Sequence, residues 1–114
     1  VSVKLTNRQV GDVTVIDASG RITLGEGASS FRDAIRDLSA QGHKKLLLNL
    51  GDVSYIDSSG IGEMVSGFTT ITNSGGILKL LGLNKRVKDL LQITKLYTVF
   101  EVFDDEATAL RSFA

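Results

Sequence analysis

The sequence predicts an α/β fold in which a mixed, mostly parallel β-sheet is packed by α-helices in the order β-β-α-β-α-β-α-β-α. Three observations carry that expectation. Short runs rich in Val, Ile and Leu alternate with segments whose apolar residues recur at helical spacing. The segment from Lys45 to Leu50 holds Leu46, Leu47, Leu48 and Leu50, a near-continuous apolar run that suits a strand covered on both faces. Strands alternating with helices imply right-handed βαβ crossovers and therefore parallel neighbours.

Each element has a local reason. Val1 to Leu5 alternates, and Asp12 to Ser19 holds Val13, Val15 and Ile16. With Gly11-Asp12 between them, these read as an antiparallel pair, which makes the sheet mixed. From Gly27 to Gln41, Phe31, Ile35 and Leu38 form one apolar helix stripe, and Gly42 stands where a glycine ends a helix. After the strand that starts at Lys45, a loop is expected from Gly51 to Gly60. Ile61, Met64, Val65, Phe68 and Ile71 form a second helix stripe, ended by Asn73-Ser74-Gly75-Gly76. Ile77 to Leu81 reads as another buried strand. Asn84 is placed to cap a third helix carrying Val87, Leu90 and Leu91. A short strand at Val99 to Val102 follows, and Asp104 or Asp105 caps a last helix carrying Ala107, Leu110 and Phe113.

Length and composition narrow the function classes. A chain of 114 residues is expected to form one domain, residues 1–114, with a real core. It contains no cysteine, which removes disulfides, thiolate metal sites and cysteine nucleophiles. Its 13 basic and 13 acidic residues balance, so no strong global field draws it to nucleic acid or an anionic membrane. The longest apolar run, Leu46-Leu47-Leu48, is far too short to cross a bilayer, and no signal-peptide layout is visible. A cytoplasmic location is expected.

The loop from Gly51 to Gly60 is the place for chemistry, because sites in α/β sheets gather outside the carboxyl ends of strands. Ser58 and Ser59 fall at the start of the second helix, where serine is among the preferred caps. A helix N-terminus also offers free N–H groups and partial positive charge, so a phosphate is tolerated there. Asp57 is placed to accept a hydrogen bond or shape the loop. Gly60 and Gly62 keep the surface low, open to another protein. From the residues alone, the simplest account is that Asp57, Ser58 and Ser59 cap a helix.

The stretch Leu48-Asn49-Leu50-Gly51-Asp52-Val53-Ser54-Tyr55-Ile56-Asp57-Ser58-Ser59-Gly60-Ile61-Gly62 resembles the anti-sigma factor antagonists, whose STAS domain is shared with sulfate transporters. A buried strand, an Asp-Ser-Ser-Gly turn and a helix make up that family's most specific signature. The likeness runs nearly end to end. It takes in Gly20-Arg21-Ile22, Gly75-Gly76, and Leu80 to Leu96 with Asn84, Val87 and Leu90-Leu91.

The resemblance implies that Ser58 is the phosphorylation site, that Ser59 is the neighbouring hydroxyl, and that Asp57 is the acidic residue before them. Switch-loop and partner contacts are expected from Asp57, Ser59, Gly60, Ile61, Gly62, Met64, Arg21 and Thr23. Ile61 and Met64 border the switch and are expected half-exposed. Relatives often carry acidic residues after the glycine at position 20 and shortly beyond, where this chain has Arg21 and Thr23. The implied partners are an anti-sigma factor with serine kinase activity, held only when Ser58 is unmodified, and a phosphatase that resets the domain. Regulation of sigma-factor-dependent transcription follows. No cofactor, nucleic acid or membrane insertion is implied, and the free domain is expected to be a monomer. The alternative is a non-switching scaffold or an accessory subunit of a stress-sensing or transport assembly.

Catalytic readings fit less well. A nucleophile elbow needs glycine two residues before the serine, and Ile56 and Asp57 stand in those places for Ser58 and Ser59. The only histidine, His43, starts the preceding strand and is expected solvated at its opposite end. Gly60-Ile61-Gly62 lacks a third glycine at Val65, and Gly25-Glu26-Gly27 lacks one at Ser30. A receiver domain would place an aspartate near Asp52 but needs an acidic pair closing the first strand. The cluster Lys85, Arg86 and Lys88 reads as a solvated face.

Overall fold

The computed structural model describes residues 3–114. Its elements are β1 (Val3–Val10), β2 (Val13–Ile22), α1 (Glu26–Ala40), β3 (Lys45–Ile56), α2 (Ser58–Asn73), β4 (Ile77–Leu81), α3 (Lys85–Ile93), β5 (Val102–Phe103) and α4 (Glu106–Arg111). A single 3₁₀ turn, Leu96–Thr98, lies between α3 and β5. Five strands form one sheet in the order β1-β2-β3-β4-β5. β1 and β2 are antiparallel, and every later pair is parallel. This is the mixed α/β architecture the sequence predicts.

Several ends fall where local chemistry puts them. α1 ends in a Schellman motif, with Gly42 at φ 86°. The His43 N–H donates to Leu38 O at 3.0 Å and the Gly42 N–H to Ser39 O at 3.1 Å. α2 ends the same way, with the Gly76 N–H donating to Ile71 O at 2.8 Å. Asn84 caps α3 by accepting from the Val87 N–H at 2.9 Å, and its amide donates to Val53 O at 2.8 Å, tying α3 to β3. Asp105, not Asp104, caps α4.

Four expectations need correction. The first strand is longer than its alternating start, running to Val10; Val1 and Ser2 lie outside the described residues. β3 does not stop at Leu50 but continues to Ile56, pairing Arg21 with Tyr55 and Ile22 with Ile56. Two register irregularities interrupt that pairing, and the second, opposite Gly20 and Arg21, places Val53 and Ile56 both inside, three apart, so the two-residue alternation of a strand is lost. The last strand is Val102–Phe103, later than expected. On α4, Ala109 is buried and Ala107 is exposed.

The two faces of the sheet are covered unequally. Leu46, Leu48 and Leu50 point into the large core with Ile16, Phe31, Ile35, Met64 and Ile71. Leu47 points the other way, into a small cluster with Val13, Val15, Leu81, Ala109 and Phe113 beneath α4. That is why Leu46-Leu47-Leu48 reads as unbroken apolar sequence. Lys79 is buried on the α4 side, its Nζ donating to Ser112 Oγ at 2.8 Å and lying 4.7 Å from the Phe113 ring centroid. Among the described residues, no helix is long and apolar enough to cross a membrane.

A charged tie joins the opening hairpin to α4. Arg8 Nε donates to Asp17 Oδ2 at 2.7 Å, and its guanidinium also bonds Glu106. Hydrogen bonds from Arg8 hold both the Asp17 and Glu106 carboxyls below the usual range. A carboxyl with a depressed native pKa stabilises fully above its unfolded value, and that contribution is lost as pH falls through the native value. Stability is therefore expected to decline across the acid range. Arg8→Ala should cost about 1 kcal/mol or less at neutral pH, the scale of half-exposed pairs, and should flatten the acid limb. Urea melts of both proteins at stepped pH check this.

Candidate functional site

The strand-to-helix junction after β3 is nearly a direct connection, with Asp57 as the sole residue between Ile56 and Ser58. Asp57 has extended backbone geometry and caps α2, its Oδ1 accepting from the Gly60 N–H at 2.9 Å. Its Oδ2 accepts from the Leu24 N–H, also at 2.9 Å. One carboxylate thus joins the start of α2 to the turn that follows β2. These two amides hold its pKa below the usual carboxylate range, so the cap is charged at neutral pH.

Ser58 is the first helical residue and is exposed, while Ser59 is half-buried beside it. Because Asp57 supplies the cap, the Ser58 hydroxyl is not needed to satisfy the helix end. Cap and hydroxyl are therefore separate groups. The helix N-terminus remains a favourable place for negative charge.

The glycines have different roles. Gly60 is buried, and a Cβ there would collide with the Ile22 carbonyl and lie 2.7 Å from Ile56 Cγ2. Its lack of a side chain lets α2 press against the end of β2, which is an internal requirement and not an opening for a partner. Gly62 is exposed, and a Cβ there would meet nothing within 4 Å, so it does leave the surface low.

Ile61 and Met64 are 5% and 0% exposed. They belong to the core, so the expected half-exposed contacts are absent in this conformation. An α2 side chain one turn from Ser58 points inward because the helix lies flat on the sheet. Arg21 is exposed and Thr23 half-buried, in the chain segment that Asp57 ties to α2. His43 does lie before β3, remote from Asp57, but it is half-buried with Nδ1 2.9 Å from Thr14 Oγ1.

Two surface features near the junction have no counterpart in the sequence reading. Leu24 is 79% exposed at the turn whose N–H Asp57 holds. Tyr55, two residues before Asp57, is approached by two guanidinium groups, with Arg21 Cζ 5.3 Å and Arg86 Cζ 5.5 Å from its ring centroid. Nothing in an isolated leucine or tyrosine within a mixed run distinguishes these positions, since their exposure depends on neighbouring elements.

Removing the Asp57 carboxylate should cost about 1–2 kcal/mol, the scale of a lost N-cap, in Asp57→Ala measured by urea unfolding. Gly60→Ala should cost about 1–3 kcal/mol by overpacking. Gly62→Ala, by contrast, should stabilise by up to about 1 kcal/mol through helix propensity. Equal effects at the two glycines would contradict the packing described.

Comparison with known proteins agrees with this fold. Residues 4–109 match the STAS domain family. A Thermotoga neapolitana protein assigned to the anti-sigma factor antagonists is 31% identical over 102 residues, which is 89% of each chain. The anti-sigma-B factor antagonist of Bacillus subtilis is 37% identical over 87 residues, covering 76% of this chain and 78% of its own. The crystal structure of a Thermotoga maritima protein assigned to the same group matches with a TM-score of 0.85 at 27% identity, covering 95% of this chain and 92% of that one. The chain belongs to the STAS domain family, among relatives that are anti-sigma factor antagonists.

Proposed function

We propose that this domain is a phosphorylation-gated partner switch acting as an anti-sigma factor antagonist. Unmodified, it binds an anti-sigma factor that is also a serine kinase, and so frees a sigma factor for transcription. The kinase modifies Ser58 with ATP that it binds itself, and a phosphatase restores the hydroxyl. The domain works by binding and not by catalysis, in the cytoplasm, as a monomer when free.

The observation that carries this reading is the exposed Ser58 hydroxyl at the first position of α2, with capping done by Asp57. Because Asp57 holds the Gly60 amide, modifying the Ser58 oxygen leaves that capping bond in place. Here the phosphate adds about −1.5 to −2 charges beside a carboxylate that is already ionised. In solution that charge is hydrated and lies against the positive end of a helix. In a protein contact it must be desolvated next to Asp57, which costs affinity. A loss of about 1.4 kcal/mol is already tenfold in binding.

Paired baits test the switch, wild type and Ser58→Asp, against lysate of the source organism. A histidine-kinase-like ATPase recovered with wild type should fall at least about tenfold with Ser58→Asp. The purified ATPase with ATP should place phosphate on Ser58 and not on Ser59, read by peptide mass spectrometry. Equal recovery by both baits would sink the switch and leave a non-switching scaffold.

A further inference from the structure

We propose that the patch built by Arg21, Tyr55 and Arg86 is a docking surface for an acidic, amphipathic segment of the partner protein. This rests on the partner-binding reading above and names the chemistry the partner must present. Arg21 comes from β2, Tyr55 from β3 and Arg86 from α3, so only the folded chain assembles the patch.

The geometry selects carboxylates. Both guanidinium groups approach the Tyr55 ring, at 5.3 Å and 5.5 Å from its centroid. A guanidinium held against an aromatic ring keeps its N–H edge available, and that edge matches a carboxylate in bidentate fashion. Both arginines are exposed. Lys85 adds a third cation, and Asp89, 3.3 Å from the Lys85 ammonium, is the carboxylate beside it in the adjoining groove. Asp57 is close in sequence, but its oxygens are already taken by the Gly60 and Leu24 amides.

Beside the arginines lies an open groove of about 570 Å³, lined in part by Tyr55, Leu90 and Ile93. Ile93 is 78% exposed. An occupant therefore needs both negative charge and an apolar side chain, which an acidic amphipathic helix supplies. A nucleic acid duplex would offer anions with its bases stacked away from the groove, and the chain's balanced charge gives no wider field to hold one.

The position also couples docking to Ser58. Three residues of chain span at most about 10 Å, so a phosphate on Ser58 lies near the segment that Tyr55 receives. A like charge there repels that segment's carboxylates. An acidic partner makes the switch steeper than desolvation beside Asp57 alone.

Two synthetic helical peptides test this on the isotopically labelled full chain. One carries Glu with Leu at i and i+4, and the other has Lys in place of every Glu. The acidic peptide should shift the amide resonances of Tyr55, Arg86, Leu90 and Ile93. Its binding should weaken at least about tenfold in Arg21→Glu/Arg86→Glu, and also in Ser58→Asp. Failure of the acidic peptide to bind, equal binding of both peptides, or its displacement by a DNA duplex would overturn the proposal. The lysate baits separate the two readings. Loss of the ATPase by the arginine double variant but not by Ser58→Asp sinks the switch and the coupling of the patch to Ser58, and leaves the docking surface itself standing. Loss by Ser58→Asp alone leaves the switch standing and overturns the patch.

Discussion

The Asp57 carboxylate is the contact on which the functional end of this domain depends. It joins the turn after β2 to the first turn of α2, just beyond the point where the β2–β3 ladder ends at Ile22 and Ile56. Two backbone amides that would otherwise lose their partners are satisfied by one side chain. At the same junction α2 lies so close to Ile22 that only glycine fits at position 60. The exposed Ser58 follows directly, since the residue after a cap is the first of the helix and stands at its open end.

Behind that junction, the sheet divides its labour along β3. The first half is sandwiched between the large core and α4, and every leucine there is buried. The outer face turns polar from Asn49, whose amide donates to Asp17 Oδ1 at 2.8 Å, and the second half carries the exposed Gly51, Asp52 and Ser54. Arg8 closes the same face by holding Asp17 and Glu106 together. The rigid half anchors the strand, and the half that carries Tyr55 and leads to Asp57 reaches the surface. Burial at one end and exposure at the other is what lets a packed strand present a site.

Much of this was legible in residues whose roles are local. Asn84 is a cap because its side chain reaches its own helix three residues on, and Gly42 ends α1 because its φ is positive. The apolar run Ile77 to Leu81 matches β4 residue for residue. The extension of β3 was hidden by Gly51, Asp52 and Ser54, which are poor strand formers in isolation. Their strand state is imposed by pairing with β2. Met64 and Ile61 mislead for a related reason, because proximity to Ser58 along the chain does not reveal which way the helix faces.

What the sequence by itself determined is therefore the order of elements, their caps, the buried leucines and the position of Ser58 at a helix start. These depend on propensity, periodicity and hydrogen bonds within a few residues. Only the tertiary structure decided that the Asp57 carboxylate also holds the Leu24 amide, that Gly60 is an internal contact, and that Arg21 and Arg86 meet over Tyr55. Each of these depends on two or three segments distant in sequence being pressed together. That approach is driven by burial of the shared core, which no local stretch of residues records.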